Sequence, residues 1–165
     1  MNIKNIMPAL VSGFGAAVIT TIPGMNSLGC CLLAPIAGGT AVFLHHKLNN
    51  IHPPISGKTG SLMGLSTGVF IALFAVLFET MITLIFKSND FVEALPQMEI
   101  TIKELGDIPI FDSAIDLYKQ MAKEIRTTGF SATYTFSMLF SYIIMYGVFG
   151  LIGGLLGMIF VNKRA

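Results

Sequence analysis

The residues able to do chemistry are few and scattered. Glu79 is the only acidic residue inside an apolar run, with Thr83 one turn on and Thr133, Tyr134 and Ser137 opening a later run. A charged group at the centre of a membrane helix costs about 2.5–3.5 kcal/mol on insertion scales, so it turns into a bundle or towards water. Two roles fit Glu79. One is an ion, proton or polar-ligand site. The other is a protonated carboxyl bonded to nearby hydroxyls, or a group reaching to water. The second is favoured, because a lone carboxylate with no basic partner in the membrane makes a poor relay. Ser56-Gly57-Lys58-Thr59 matches the end of a phosphate-binding loop, but His52 stands where that pattern needs its first glycine. His45, His46 and His52 mark the polar end of an apolar stretch rather than a metal or haem set, since adjacent histidines point to different helix faces. Cys30 and Cys31 lack C-x-x-C spacing and read as packing residues or acylation targets. No nucleophile–base pair or metal-ligand set is left. The expectation is therefore a protein that is not an enzyme, with no catalytic or metal residues and no cofactor.

The elements that must position these residues follow from composition. Hydrophobic residues make up 53% of the 165 positions and charged residues 12%, against about 25% charged in ordinary soluble domains. Mean hydropathy is +0.75. A net charge of +1 argues against a nucleic-acid partner, and two cysteines cannot build a disulfide scaffold. The composition points to a small polytopic membrane protein. A membrane helix needs roughly 20 apolar residues, and four stretches qualify, at about 6–25, 28–48, 60–86 and 131–161. Pro8 is placed in the first turn of the first span, the turn Pro23-Gly24-Met25-Asn26 is expected to break the helix, and Pro35 is expected to kink the second span. Ser27-Leu28-Gly29-Cys30 is similar to a lipoprotein cleavage box. Its leucine comes one position late and another apolar span follows, so a retained helix is the better reading.

Four spans place both termini and the link between the second and third spans on one side. That side carries Lys4, Lys47, Lys58, Lys163 and Arg164 and no acidic residue. The segment 87–129 carries five basic and eight acidic residues. The basic residues close to the span ends put the termini in the cytoplasm.

Helices in lipid gain little from burying apolar side chains against each other, so close contact depends on small residues. The third span offers Gly60, Gly64, Gly68 and Ala72, each four apart, and the fourth offers Gly147, Gly150, Gly153, Gly154 and Gly157. Gly13 and Ala17 serve the first span, and Ala34 and Gly38 the second. Glu79 follows Gly68 by eleven positions, roughly 20° from it after three turns, and so shares this small-residue face.

The outer segment, 88–129, is patterned too. Phe91, Leu95, Met98, Ile102 and Leu105 form one helical stripe, and Phe111, Ile115, Tyr118, Ala122 and Ile125 a second. Pro96 is expected to kink or restart the first helix, Gly106 to end it, Ser113 with Asp116 to cap the second, and Gly129 to close it. Such a hairpin packs on the protein's own spans, or offers a partner surface through Phe91, Leu95, Met98, Ile102, Phe111, Ile115, Tyr118 and Ile125.

Three blocks recur together: Asn26-Ser27-Leu28-Gly29-Cys30-Cys31 leading through 38–44 to a basic end, Ile55-Ser56-Gly57-Lys58-Thr59-Gly60 with Gly64 and Gly68, and the glycine-rich 149–157 ending in Asn162-Lys163-Arg164. Their order resembles a loose group of small four-span prokaryotic membrane proteins of unknown function. The resemblance covers most of the chain except the outer segment, and implies a prokaryotic inner membrane but no activity or site residue. The expected fold is an all-α bundle of four transmembrane helices with an extracytoplasmic amphipathic hairpin between spans three and four. The expected function is a non-enzymatic accessory or assembly subunit that engages itself or another membrane protein in the bilayer. The alternative is a small transporter or channel element using Glu79.

Overall fold

The computed structural model describes residues 3–22, 29–49, 54–104 and 109–163. Among the described residues it holds no strand and six α-helices. They are α1 (Ile3–Thr20), α2 (Ala34–Leu48), α3 (Gly57–Phe86), α4 (Asp90–Glu104), α5 (Pro109–Thr128) and α6 (Ala132–Lys163). A π-helical turn, Gly29–Leu33, leads into α2. The helices α3 and α6, of 30 and 32 residues, are long and apolar enough to cross a membrane. The other two apolar helices are shorter, 18 residues in α1 and 15 in α2.

Local chemistry sets the ends. The residue before each of α3, α4 and α6 caps it: Ser56 Oγ accepts Thr59 N–H at 3.2 Å, Asn89 Oδ1 accepts Val92 N–H at 3.0 Å, and Ser131 Oγ accepts Tyr134 N–H at 3.4 Å. Each bond satisfies one donor that the first helical turn leaves unpaired. At the other end of α3, Lys87 takes a left-handed φ of 54° and donates its N–H to Thr83 O at 2.8 Å. Gly129 does the same after α5, with φ 81° and its N–H 2.7 Å from Ile125 O.

Several local expectations are corrected. Helix α1 begins at Ile3, so Pro8 lies inside it rather than in its first turn. The same helix stops at Thr20, short of the expected 25, and the turn at 23–26 lies outside the described residues. No restart occurs at Pro96, which sits within an unbroken α4. Ser113 lies one turn inside α5, because Pro109, whose missing N–H would be unpaired there, takes the first position. The exit at Gly106 lies outside the described residues.

Contacts divide the chain into two units, 1–78 with 139–165 and 79–138, the boundary falling inside α3 and α6. The first unit packs α1, α2, residues 57–78 and residues 139–163. Its core is built of small residues around a few large ones: Ala16, Ala17, Ala34, Ala37, Ala72 and Ala75 with Ile71 and Tyr146. Phe14 closes edge-on against Phe74 and Phe78, with ring centroids 5.2 and 5.9 Å apart. A second cluster gathers Val42, Ile55 and Val161. Beside it the Ile55 backbone N–H donates to Asn162 Oδ1 at 2.8 Å, and Asn162 Nδ2 donates back to Ile55 O at 3.1 Å.

The second unit packs residues 79–86, α4, α5 and residues 132–138. Val92, Ala122 and Ile125 are its buried centre, with Phe91, Leu95 and Tyr134 against them. Lys119 Nζ meets Glu99 Oε1 at 2.9 Å and ties α5 to α4.

Candidate functional site

Glu79 and Tyr134 meet in the second unit. The Tyr134 hydroxyl donates to Glu79 Oε1 at 3.0 Å. Its ring lies 5.1 Å from that of Phe91, which stands edge-on to Tyr118 at 5.8 Å. The first turn of α6 aims the phenol, since the Ser131 cap holds the Tyr134 backbone N–H. Ser131 is buried, and its side chain, ahead of the Gln120 amide, holds the Glu124 carboxyl below the usual range. The Gln120 contact measures 3.2 Å.

The other expected partners of Glu79 are placed differently. Thr83 is buried, and its hydroxyl accepts from Asn89 Nδ2 at 3.4 Å. Thr133 and Ser137 are exposed. Thr80, which sequence reasoning passed over, has a buried hydroxyl without a hydrogen-bond partner. Its only signal was adjacency to Glu79. A cleft lined by Thr80, Thr83, Ser131, Tyr134 and Thr135 is too tight to admit a water-sized molecule.

In the first unit the glycines lie where helices cross. A methyl group built on Gly150 would stand 2.6 Å from Gly64 O, and one on Gly154 would stand 2.7 Å from Gly64 Cα. Gly68 faces the Tyr146 carbonyl, and Gly60 faces Met158 and the Gly154 carbonyl. On its other side α6 meets α2: Gly153 abuts the Pro35 backbone, and Gly157 the Gly39 backbone, where a methyl would stand 2.6 Å from Gly39 Cα. Ala72 is fully buried. Gly39 and Pro35 were not singled out for packing from the sequence, though the run Gly38-Gly39 was the available signal.

The hairpin stripes are turned largely inward. Ile115 and Ile125 are buried, and Phe91, Leu95 and Tyr118 are half-buried. Met98 and Ile102, also half-buried, line a shallow groove with Ala94, Gln97 and Thr101. The Phe111 side chain lies outside the described residues.

The remaining candidates resolve into local structure. Ser56-Gly57-Lys58-Thr59 is the N-cap of α3, with the Ser56 and Thr59 hydroxyls 2.9 Å apart. His45 is buried, its Nδ1 2.9 Å from Asn49 Nδ2. His46 is half-buried, Cys31 is exposed, and His52 and the Cys30 side chain lie outside the described residues. Among the described residues no three His, Cys, Asp or Glu side chains group as a metal site. No protein-family model, curated protein or solved structure matches this chain.

Proposed function

We propose that this chain is an integral protein of a prokaryotic inner membrane, a non-enzymatic accessory subunit with four inserted segments. In this reading both termini face the cytoplasm, and the hairpin 88–129 faces the opposite compartment and engages a partner or a second copy.

One observation carries the membrane reading: the distribution of side-chain size is the reverse of a soluble core. Alanine and glycine make up much of the interior of the first unit, while its Ile36, Leu48, Phe140 and Phe160 are 61–69% exposed. In water such a surface would drive association. In lipid it is solvated, and small residues are what let helices approach. Only 28% and 33% of the apolar windows of α3 and α6 are buried, whereas the core helix of a soluble protein is mostly buried. Length bears on the two shorter segments. The continuous helical stretch 29–48 holds 20 residues, which is about 30 Å at ~1.5 Å per residue, the thickness of a bilayer's hydrocarbon core. The apolar part of α1, Ile6–Thr20, reaches about 22 Å, a shortfall that a bilayer meets by local thinning.

Reporters at Ala165 and near Gly106 should report opposite compartments, and the same compartment for both refutes the topology. For the subunit role, purification in gentle detergent should bring down a stoichiometric partner or a homo-oligomer. Deleting 91–125 should release it, and a bare monomer from the intact chain refutes the role. A transport element is the competing reading, and the Tyr134 bond to Glu79 is what favours it. Under that reading Glu79→Gln abolishes proton or cation flux into proteoliposomes. Under ours it changes stability alone.

A further inference from the structure

We infer that the groove between α2 and α6 binds one acyl chain of an anionic phospholipid, with the headgroup at the groove's basic end; this rests on the membrane reading above. The groove encloses about 610 Å³. Its walls include Pro35, Phe43 and His46 from α2 and Gly153, Leu156 and Phe160 from α6. It exists because the two helices touch through bare backbone, at Gly153 on Pro35 and at Gly157 on Gly39. Side chains missing there leave a trough between the larger ones on either side. From Pro35 to His46 is eleven residues, about 17 Å of helix, close to the ~15 Å of one leaflet's hydrocarbon. The apolar wall therefore matches a single chain in depth.

Charge identifies the headgroup. All nine acidic residues of the protein lie within 79–138. The first unit holds Lys4, Lys47, Lys58, Lys163 and Arg164 with no acid, a formal charge of +5. The pairs Pro35–Gly153 and Gly39–Gly157 show that α2 and α6 run parallel, so both helices finish at the same end. His46 lines the groove there, with exposed Lys47 beside it, and exposed Lys163 follows the lining residue Val161 by two positions. Helix C-termini carry partial negative charge. The backbone at this end therefore disfavours an anion, and selectivity falls to the side chains. A phosphodiester between acyl chain and water suits that arrangement, and a zwitterionic headgroup gains less from it.

The test uses the full chain reconstituted in mixed phosphatidylglycerol–phosphatidylcholine vesicles of matched acyl chains, then taken into mild detergent for native mass spectrometry of retained lipid. The intact protein should retain phosphatidylglycerol several-fold over phosphatidylcholine, and added inorganic phosphate should not displace it. Lys47→Gln with Lys163→Gln should retain the two lipids equally. Thr40→Trp places an indole in the groove from an exposed lining position and should abolish retention of both. Equal retention by the intact protein overturns the inference, as does displacement by phosphate or unchanged retention in Thr40→Trp. A lipid-free dimer that Thr40→Trp converts to monomer overturns it in favour of a second copy. Alkaline extraction of the source membranes separates the two failures. Protein that stays with the membrane but shows no lipid preference refutes the groove alone, and protein released to the supernatant refutes the membrane reading with it.

Discussion

Replacing Gly64 with alanine places a methyl group against the Gly150 carbonyl and 2.9 Å from Gly154 Cα. Both obstacles are backbone atoms of a helix that is itself held on its far side, by Gly153 against Pro35 and Gly157 against Gly39. No side chain can rotate away, so α3 and α6 must separate. Overpacking of a well-filled site costs roughly 1–3 kcal/mol, and a clash with main chain belongs at the upper end. Alanine returns up to ~1 kcal/mol as the better helix former. The net loss is about 2 kcal/mol, up to a ~30-fold change in the folded-to-unfolded ratio. Gly15 supplies the control, because a methyl group there meets nothing within 4 Å, and Gly15→Ala should be neutral or stabilising. The assay is reversible unfolding in mixed micelles, followed by helicity, for both variants and for Gly150→Ala. Gly64 and Gly150 share one crossing, so their double variant should depart from additivity. If Gly64→Ala unfolds with Gly15→Ala, the close backbone approach contributes nothing and the packing argument fails.

Lys87→Gly should stabilise the exit from α3 by up to ~1 kcal/mol, because glycine takes the left-handed conformation without the Cβ penalty. The lost bond from Lys87 Nζ to Thr127 O, 3.2 Å and exposed, offsets little of this gain, and a lower melting temperature would refute the strain argument. Tyr134→Phe keeps the ring on Phe91 but removes the donor to Glu79, and should cost about 1–3 kcal/mol, read by the same unfolding assay; no loss would show the bond to be idle. Glu124 supplies a pH dependence. Its folded-state value lies below the ordinary 4.5, so its contribution is complete above that value and is lost as pH falls through the folded value. Protection factors across 109–128, corrected for intrinsic exchange at each pH, should therefore fall on acidification in the natural chain and stay level over that window in Glu124→Gln.

The helical class was legible because it is written locally. Runs of apolar residues and the stripes from Phe91 and from Phe111 are patterns within a few turns, whereas the caps at Ser56, Asn89 and Ser131 were not read from the sequence. Boundaries were less legible where two local signals competed. Ser113 and Pro109 both offer a helix start, and the proline prevailed by standing first. Pro96 left the helix whole, which its position alone did not reveal.

By itself the amino-acid order determined an all-helical chain, two segments, of the four read as spans, that are long and apolar enough for a membrane, and a segment, 87–129, that holds every acidic residue but Glu79. These depend on composition and on a period of 3.6 residues. Only the tertiary structure decided that Tyr134, of four hydroxyl candidates, donates to Glu79, that α6 meets both α2 and α3 through bare backbone, and that most of the hairpin's described apolar residues turn inward. Each of these turns on the register between segments distant in the chain, and a register is set by the fit of whole surfaces, which no single stretch of sequence contains.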